Sequence, residues 1–173
     1  MQHVLETPRL VMREMGLNDL GFVAAMLAHP EVMRFWPRCY SRAEAEAWVL
    51  RQQERYARHG HGYWLMVEKA TGLPVGQAGL LTIEVDDREE LALGYLIHRP
   101  FWRRGFATEA AAASRDYAFD TLGRQRVIAP IRPENGPSQG VARKLGMAPE
   151  KRTMYAGFEH LIFVAERDAR TIS

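Results

Sequence analysis

Residues Leu91 to Ala111 read LALGYLIHRPFWRRGFATEAA. The apolar run Leu91 to His98 predicts a strand, and Arg99-Pro100 stops it. The chain then turns through Arg103-Arg104-Gly105-Phe106-Ala107 into an alanine-rich segment. That composition predicts a long helix over Ala107 to Leu122, with Gly123 as its C-cap candidate. The next β-prone run, Val127 to Ile131, completes a strand, crossover helix and parallel strand. In the turn itself, a glycine beside a small residue allows successive backbone N–H groups to face one way at the positive end of a helix dipole. Arg99, Arg103 and Arg104 surround this turn, so the local charge suits a phosphorylated ligand. Taken alone, Gly105 reads better as a residue that merely permits a tight turn.

Upstream, Arg9 to Glu14 alternates apolar and charged side chains as a half-buried strand does, and Asn18 or Asp19 can cap a helix running to about Ala28. Ser41 followed by Glu44 forms a capping box, and Ala45, Trp48, Val49 and Tyr56 then recur at helical spacing. A second helix over Arg42 to Arg58 follows. Tyr63 to Glu68 and Leu73 to Glu84 are β-prone runs joined at Thr71-Gly72, and Asp86-Asp87-Arg88 turns the chain into the strand at Leu91. Downstream, Asn135 to Leu145 is a short helix closed by Gly146. Met154 to Gly157 and Leu161 to Glu166 form a terminal hairpin. The order β-α-α-β-β-β-α-β-α-β-β predicts a mixed α/β (α+β) layered fold, with residues 1–173 as one domain.

Composition narrows the function classes. Lysine and arginine number 23 against 21 acidic residues, and the arginines are scattered among carboxylates, which is a solvated surface and not a nucleic-acid arm. No apolar run approaches the roughly 20 residues of a membrane-spanning helix. A single cysteine, Cys39, rules out an internal disulfide framework and a cysteine zinc cluster, and points to a cytoplasmic setting. The histidines show no metal-ligand spacing, so no metal is expected. The lack of a Gly-x-x-x-x-Gly-Lys loop argues against a nucleotide-binding reading of the Arg103 to Ala107 turn.

A second informative segment lies after the parallel strand: Pro133-Glu134-Asn135-Gly136-Pro137-Ser138, then Lys144-Leu145-Gly146-Met147. With Gly105-Phe106-Ala107, it resembles the GNAT N-acetyltransferase superfamily at the pyrophosphate loop and the following helix. The RimJ/RimL-type branch is the nearest likeness, through Thr7, Arg9, Leu10, Met12 and Arg13, through Pro30 to Arg34, and through Gly94, Tyr95, Phe101, Trp102 and Gly105 to Ala110. The resemblance spans about residues 5 to 167. It departs from the superfamily at Trp102, where many members carry Gln or Arg, and at Ala142, where many carry the tyrosine that reprotonates the leaving thiolate.

The resemblance implies a mixed, mostly antiparallel sheet of six to seven strands with about four helices and a splayed central strand pair. It implies transfer of an acetyl group from acetyl-CoA, by direct attack, to a primary amine on a protein N-terminus or a small molecule. A homodimer is compatible with it, and a catalytically silent acyl-CoA-binding module is the competing reading. The cofactor would lie on Arg103, Arg104, Gly105, Phe106, Ala107 and Thr108, on the backbone of Leu96 and Ile97, and on Asn135 and Ser138. Ser138 is the candidate proton donor to the thiolate, or else a first-turn serine that satisfies helix amides. Glu159, ahead of Glu90, is the candidate general base. His98, His160, Trp36 and Tyr40 are candidates for the acceptor cleft.

Overall fold

A computed structural model describes residues 2–168. One eight-stranded sheet runs in the order β1-β2-β3-β4-β5-β6-β8-β7. Its strands are β1 (His3–Glu6), β2 (Leu10–Arg13), β3 (Tyr63–Glu68), β4 (Pro74–Val85), β5 (Arg88–Ile97), β6 (Arg126–Ile131), β7 (Ala148–Tyr155) and β8 (Phe158–Glu166). Every neighbouring pair is antiparallel except β5 and β6, which are parallel. Four helices accompany the sheet: α1 (Leu20–Leu27), α2 (Arg42–His59), α3 (Phe106–Asp120) and α4 (Gly136–Lys144). No helix among the described residues is long and apolar enough to cross a membrane.

The sheet exceeds the expected count because of β1, a four-residue edge strand too short for periodicity to register. The C-terminal hairpin is also longer than its apolar residues suggest. β7 starts at Ala148 and carries Pro149, Glu150, Lys151 and Arg152 along an exposed edge, with a register shift between Pro149 and Lys151. Proline, charge and irregularity protect a sheet edge from further pairing, and they also hide the strand in the sequence.

α2 begins where the capping box places it. The Glu44 amide donates to Ser41 Oγ at 3.3 Å, and the Ser41 amide donates to Glu44 Oε2 at 2.8 Å. The helix ends at Gly60, whose φ of 75° is a left-handed cap. Its inner face buries Ala45, Trp48, Val49, Gln52 and Tyr56. Three polar bonds then fix its register against the sheet: Trp48 Nε1 donates to Gln77 Oε1 at 3.0 Å, the Tyr63 amide donates to Gln52 Oε1 at 3.0 Å, and Tyr56 Oη donates to the Tyr63 carbonyl. Those bonds decide which outward residues of α2 face the site.

The start of α3 is clamped by the turn before β2. Glu109 Oε1 accepts from Thr7 Oγ1 at 2.5 Å and from the Arg9 amide at 2.9 Å, and Glu109 Oε2 accepts from Arg9 Nε at 2.7 Å. Arg9 Nη1 also donates to the Arg104 carbonyl at 2.7 Å. Burial alone would raise the Glu109 pKa, but the bonds from Thr7 and Arg9 hold it below the usual 4.5. A depressed carboxylate contributes stability in full above its unfolded pKa, and that contribution fades as pH falls through the folded value. Glu109→Gln is therefore expected to cost about 1–2 kcal/mol near neutral pH. The difference from the parent should shrink below pH 4.5. Denaturant midpoints across pH check this, and a pH-independent difference would contradict the charged clamp.

Candidate active site

The turn between β5 and α3 has the backbone of a phosphate cradle. Gly105 is the N-cap at φ 77°, Arg103 before it has φ 60°, and no side chain caps the helix. The first amides of a helix have no acceptor within it. Those of Phe106, Ala107 and Thr108 are thus left facing outward with the positive end of the dipole. The surrounding arginines prove to have different employments. Arg104 pairs with the buried Glu68 carboxylate and lies 4.8 Å from the Phe106 ring centroid. Arg99 pairs with Glu31 at 3.0 Å and stacks 4.7 Å over Trp102. Only the Arg103 guanidinium makes no ion pair or hydrogen bond among the described residues, so a ligand would meet Arg104 through its backbone.

β5 and β6 diverge beyond this turn. They run side by side as parallel strands, yet Ala92↔Ile128 is their sole register pair, although β5 continues to Ile97 and β6 to Ile131. The His98 amide donates to the Val75 carbonyl of the β4 edge at 2.9 Å. Antiparallel pairing alternates, so the Leu96 main-chain groups also face β4, while those of Tyr95 and Ile97 face the opening. This corrects the expectation that Leu96 and Ile97 both present free backbone: Leu96 is occupied by β4. The Ile97 carbonyl accepts from Trp102 Nε1 at 2.8 Å, which gives that tryptophan a structural task.

The opening leads into a cavity of about 460 Å³ that reaches α2, α4 and the β7-β8 hairpin. Tyr63 stacks on Trp48 with ring centroids 5.8 Å apart, and its hydroxyl fills the space above Gly94, where an added Cβ would lie 2.1 Å from it. Burial pushes the Tyr63 phenol up to about 12 and also raises Tyr95 and Tyr155, so all three stay protonated at neutral pH and can donate hydrogen bonds. Tyr95 Oη donates to the Ser138 carbonyl at 2.8 Å and ties β5 to the start of α4.

Of the residues expected here, Asn135, Ser138, Trp36 and His160 line the cavity. Asn135 is the N-cap of α4, its Oδ1 accepting from the Ser138 amide at 3.1 Å. The capping task therefore belongs to Asn135, and the Ser138 hydroxyl has no partner among the described residues. The other candidates lie elsewhere. Glu159 sits between Phe158 and His160 on β8, and because those two line the cavity, strand alternation sends Glu159 to the opposite face, where it pairs with Arg152 at 2.8 Å. Glu90 is held by Arg126 at 3.2 Å at the far end of β5. His98 lies between Phe22 and His29 at centroid distances of 5.5 and 5.9 Å, where burial, with His29 beside it, lowers its pKa. Tyr40 packs edge-on to Trp36 and Trp48 behind the wall.

Residues unforeseen from sequence complete the lining: Arg51 and Arg55 from α2, Tyr63 from β3, and Tyr155 and Phe158 from the terminal hairpin. No carboxylate lines the cavity among the described residues. No group of His, Cys, Asp and Glu among them would hold a metal ion.

Comparisons with known proteins accord with this geometry. Residues 9–148 match the model of the acetyltransferase (GNAT) domain. A curated relative from Bacillus subtilis (strain 168), the uncharacterized protein YkkB, is 31% identical over 144 residues, covering 83% of this chain and 84% of the relative. Among solved structures, an acetyltransferase from Agrobacterium tumefaciens str. C58 has a TM-score of 0.81 at 25% identity, with 94% of each chain covered. RimL, described as a ribosomal alpha-N-protein acetyltransferase in complex with coenzyme A, has a TM-score of 0.80 at 16% identity, covering 97% of this chain and 99% of that one, and shows the shared fold. The chain belongs to the GNAT acetyltransferase family and is an acyltransferase.

Proposed function

We propose that this acyltransferase moves an acetyl group from acetyl-CoA, by direct attack, to a primary amine on a small molecule or a protein N-terminus. The observation that carries the reading is the splay of β5 from β6, which opens into the cavity lined by Ser138 and bounded by α2 and the terminal hairpin. Acetyl-CoA supplies an activated acetyl carbon and a thiol leaving group. The pyrophosphate fits the amides of Arg103 to Thr108, and the pantetheine arm fits the free edge of β5 at the Tyr95 main chain and the Ile97 amide, the Ile97 carbonyl being held by Trp102. The exposed Cys39 and the absence of a disulfide among the described residues suit a reducing, cytoplasmic setting.

Attack requires a neutral amine, because an ammonium has no lone pair. With no carboxylate in the lining, His160 is the residue suited to take the proton. Its Nδ1 lies 2.9 Å from the Phe158 carbonyl, which can only accept, so Nδ1 carries the hydrogen and Nε2 is left as the basic atom. As the new C–N bond forms, the amine proton passes to His160 Nε2. As the C–S bond breaks, the Ser138 hydroxyl donates its proton to the departing sulfur and takes one back from solvent water, and His160 returns the amine's proton to solvent, so the free thiol and the neutral amide leave both residues in their starting forms. His160→Gln should lower kcat/KM about 100-fold at neutral pH. The loss should shrink at high pH as free amine accumulates, and an unchanged pH profile would remove His160 from this role. The acetyltransfer itself is tested by release of free thiol from acetyl-CoA, which should depend on an added primary amine. Equal release with and without amine would contradict it.

A further inference from the structure

Arg55 is a cation built into a wall without a counter-ion. Its Nη1 is buried and has no hydrogen-bond partner, and no ion pair to its guanidinium exists among the described residues. Arg51, one turn earlier on the same face of α2, also lines the cavity and also lacks a carboxylate partner. Arg132, the third arginine of the lining, differs: it pairs with Glu134 at 2.5 Å and lies 4.2 Å over the Phe158 ring. Burial pulls the Arg55 pKa down and the neighbouring charge of Arg51 adds to the effect, while Tyr63, Tyr155 and the Glu54 carboxylate, which forms no ion pair with Arg55, oppose it. Two like charges one turn apart repel, and desolvating one of them without a partner is costly. The Trp48, Gln52 and Tyr56 anchors hold α2 in a register that keeps both side chains at the cavity. A wall so made is complementary to an anion and repels a polycation.

We propose that the acceptor amine also carries an anionic group, a carboxylate or a phosphoryl, which docks on Arg55 and Arg51 while its amine points toward the splay of β5 and β6. This rests on the acetyltransferase reading above and names its substrate class. The guanidinium fork suits either anion in bidentate geometry. The rings of Trp36, Tyr63, Tyr155 and Phe158 add flat apolar surface for the body between the amine and the anion.

The test is a titration that needs no turnover. The CoA-loaded protein is titrated with N-acetyl-L-phenylalanine and its neutral counterpart N-acetyl-L-phenylalaninamide. A second pair, the phosphate ester of N-acetyltyramine and N-acetyltyramine itself, separates phosphoryl from carboxylate recognition. The anionic member of at least one pair should bind about tenfold or more tightly than its neutral partner. Arg55→Gln should bring that ratio close to one, and Arg51→Gln, at an exposed position, should reduce it without burdening the fold. The proposal is overturned if both pairs bind within about twofold in the parent, or if Arg55→Gln leaves the preference intact. Failure of amine-dependent thiol release would sink the acetyltransferase reading, whereas these ratios would still decide the anion site.

Discussion

Gly105→Val should weaken CoA binding about 100-fold, equivalent to roughly 2.7 kcal/mol. It should leave the binding of pantetheine, which has no pyrophosphate, nearly as in the parent. Two physical effects converge at this position. The first is conformational: φ is 77°, and a β-branched residue held there costs on the order of 1–3 kcal/mol, which the turn can relieve by moving the amides of the cradle away from the ligand. The second is steric, because a Cβ would stand 3.3 Å from Arg9 Nη2, in the clamp that sets the start of α3. A fall in melting temperature is therefore expected along with the loss of affinity. Pantetheine separates the two, since general loosening would weaken both ligands alike. Equal weakening would contradict the assignment of the pyrophosphate to this turn.

Ser138→Ala should lower kcat about 100-fold with a much smaller change in the KM for acetyl-CoA. A group that donates a proton to the leaving sulfur acts in the transition state, so its loss appears in turnover before binding. The structure strengthens the case by releasing Ser138 from its competing duty. Asn135 caps α4, and the Ser138 carbonyl, not its hydroxyl, is the atom engaged by Tyr95. Ala142 is buried and has no proton to offer in place of the tyrosine usual in the superfamily. A change of only a few-fold would return Ser138 to lining and leave protonation to a bound water or to one of the neighbouring phenols.

The elements that position the cofactor turn were legible because local chemistry dictates them. Gly105 permits a left-handed backbone, the alanines after it favour helix, and Ser41 with Glu44 announces α2 at its observed start, Arg42. The acceptor side was far less legible. Glu159 looked like a base because it lies in the right hairpin, but strand alternation turns its carboxylate to the outer face while His160 faces in. His98 looked like a cleft residue because it follows β5, yet the chain turns there and buries it against α1. Arg55 read as one more surface charge. Its signal was present in a quiet form, since the positions three and four residues away on α2 are Gln52, Arg51, Arg58 and His59 and none can neutralise it. That the side chain also faces a cavity depends on the docking of α2, which tertiary contacts alone determine.

Central to this account is a direct transfer within one cavity, with acetyl-CoA in the splay and the amine beside it. Initial rates measured while acetyl-CoA and one accepted amine are varied together test it most directly. Direct attack requires both substrates bound at once, so the double-reciprocal lines should intersect, with one N-acetylated amine formed for each thiol released. Parallel lines, together with an acetylated form of the protein isolated before amine is added, would mean that the acetyl group first rests on the enzyme and would contradict the account.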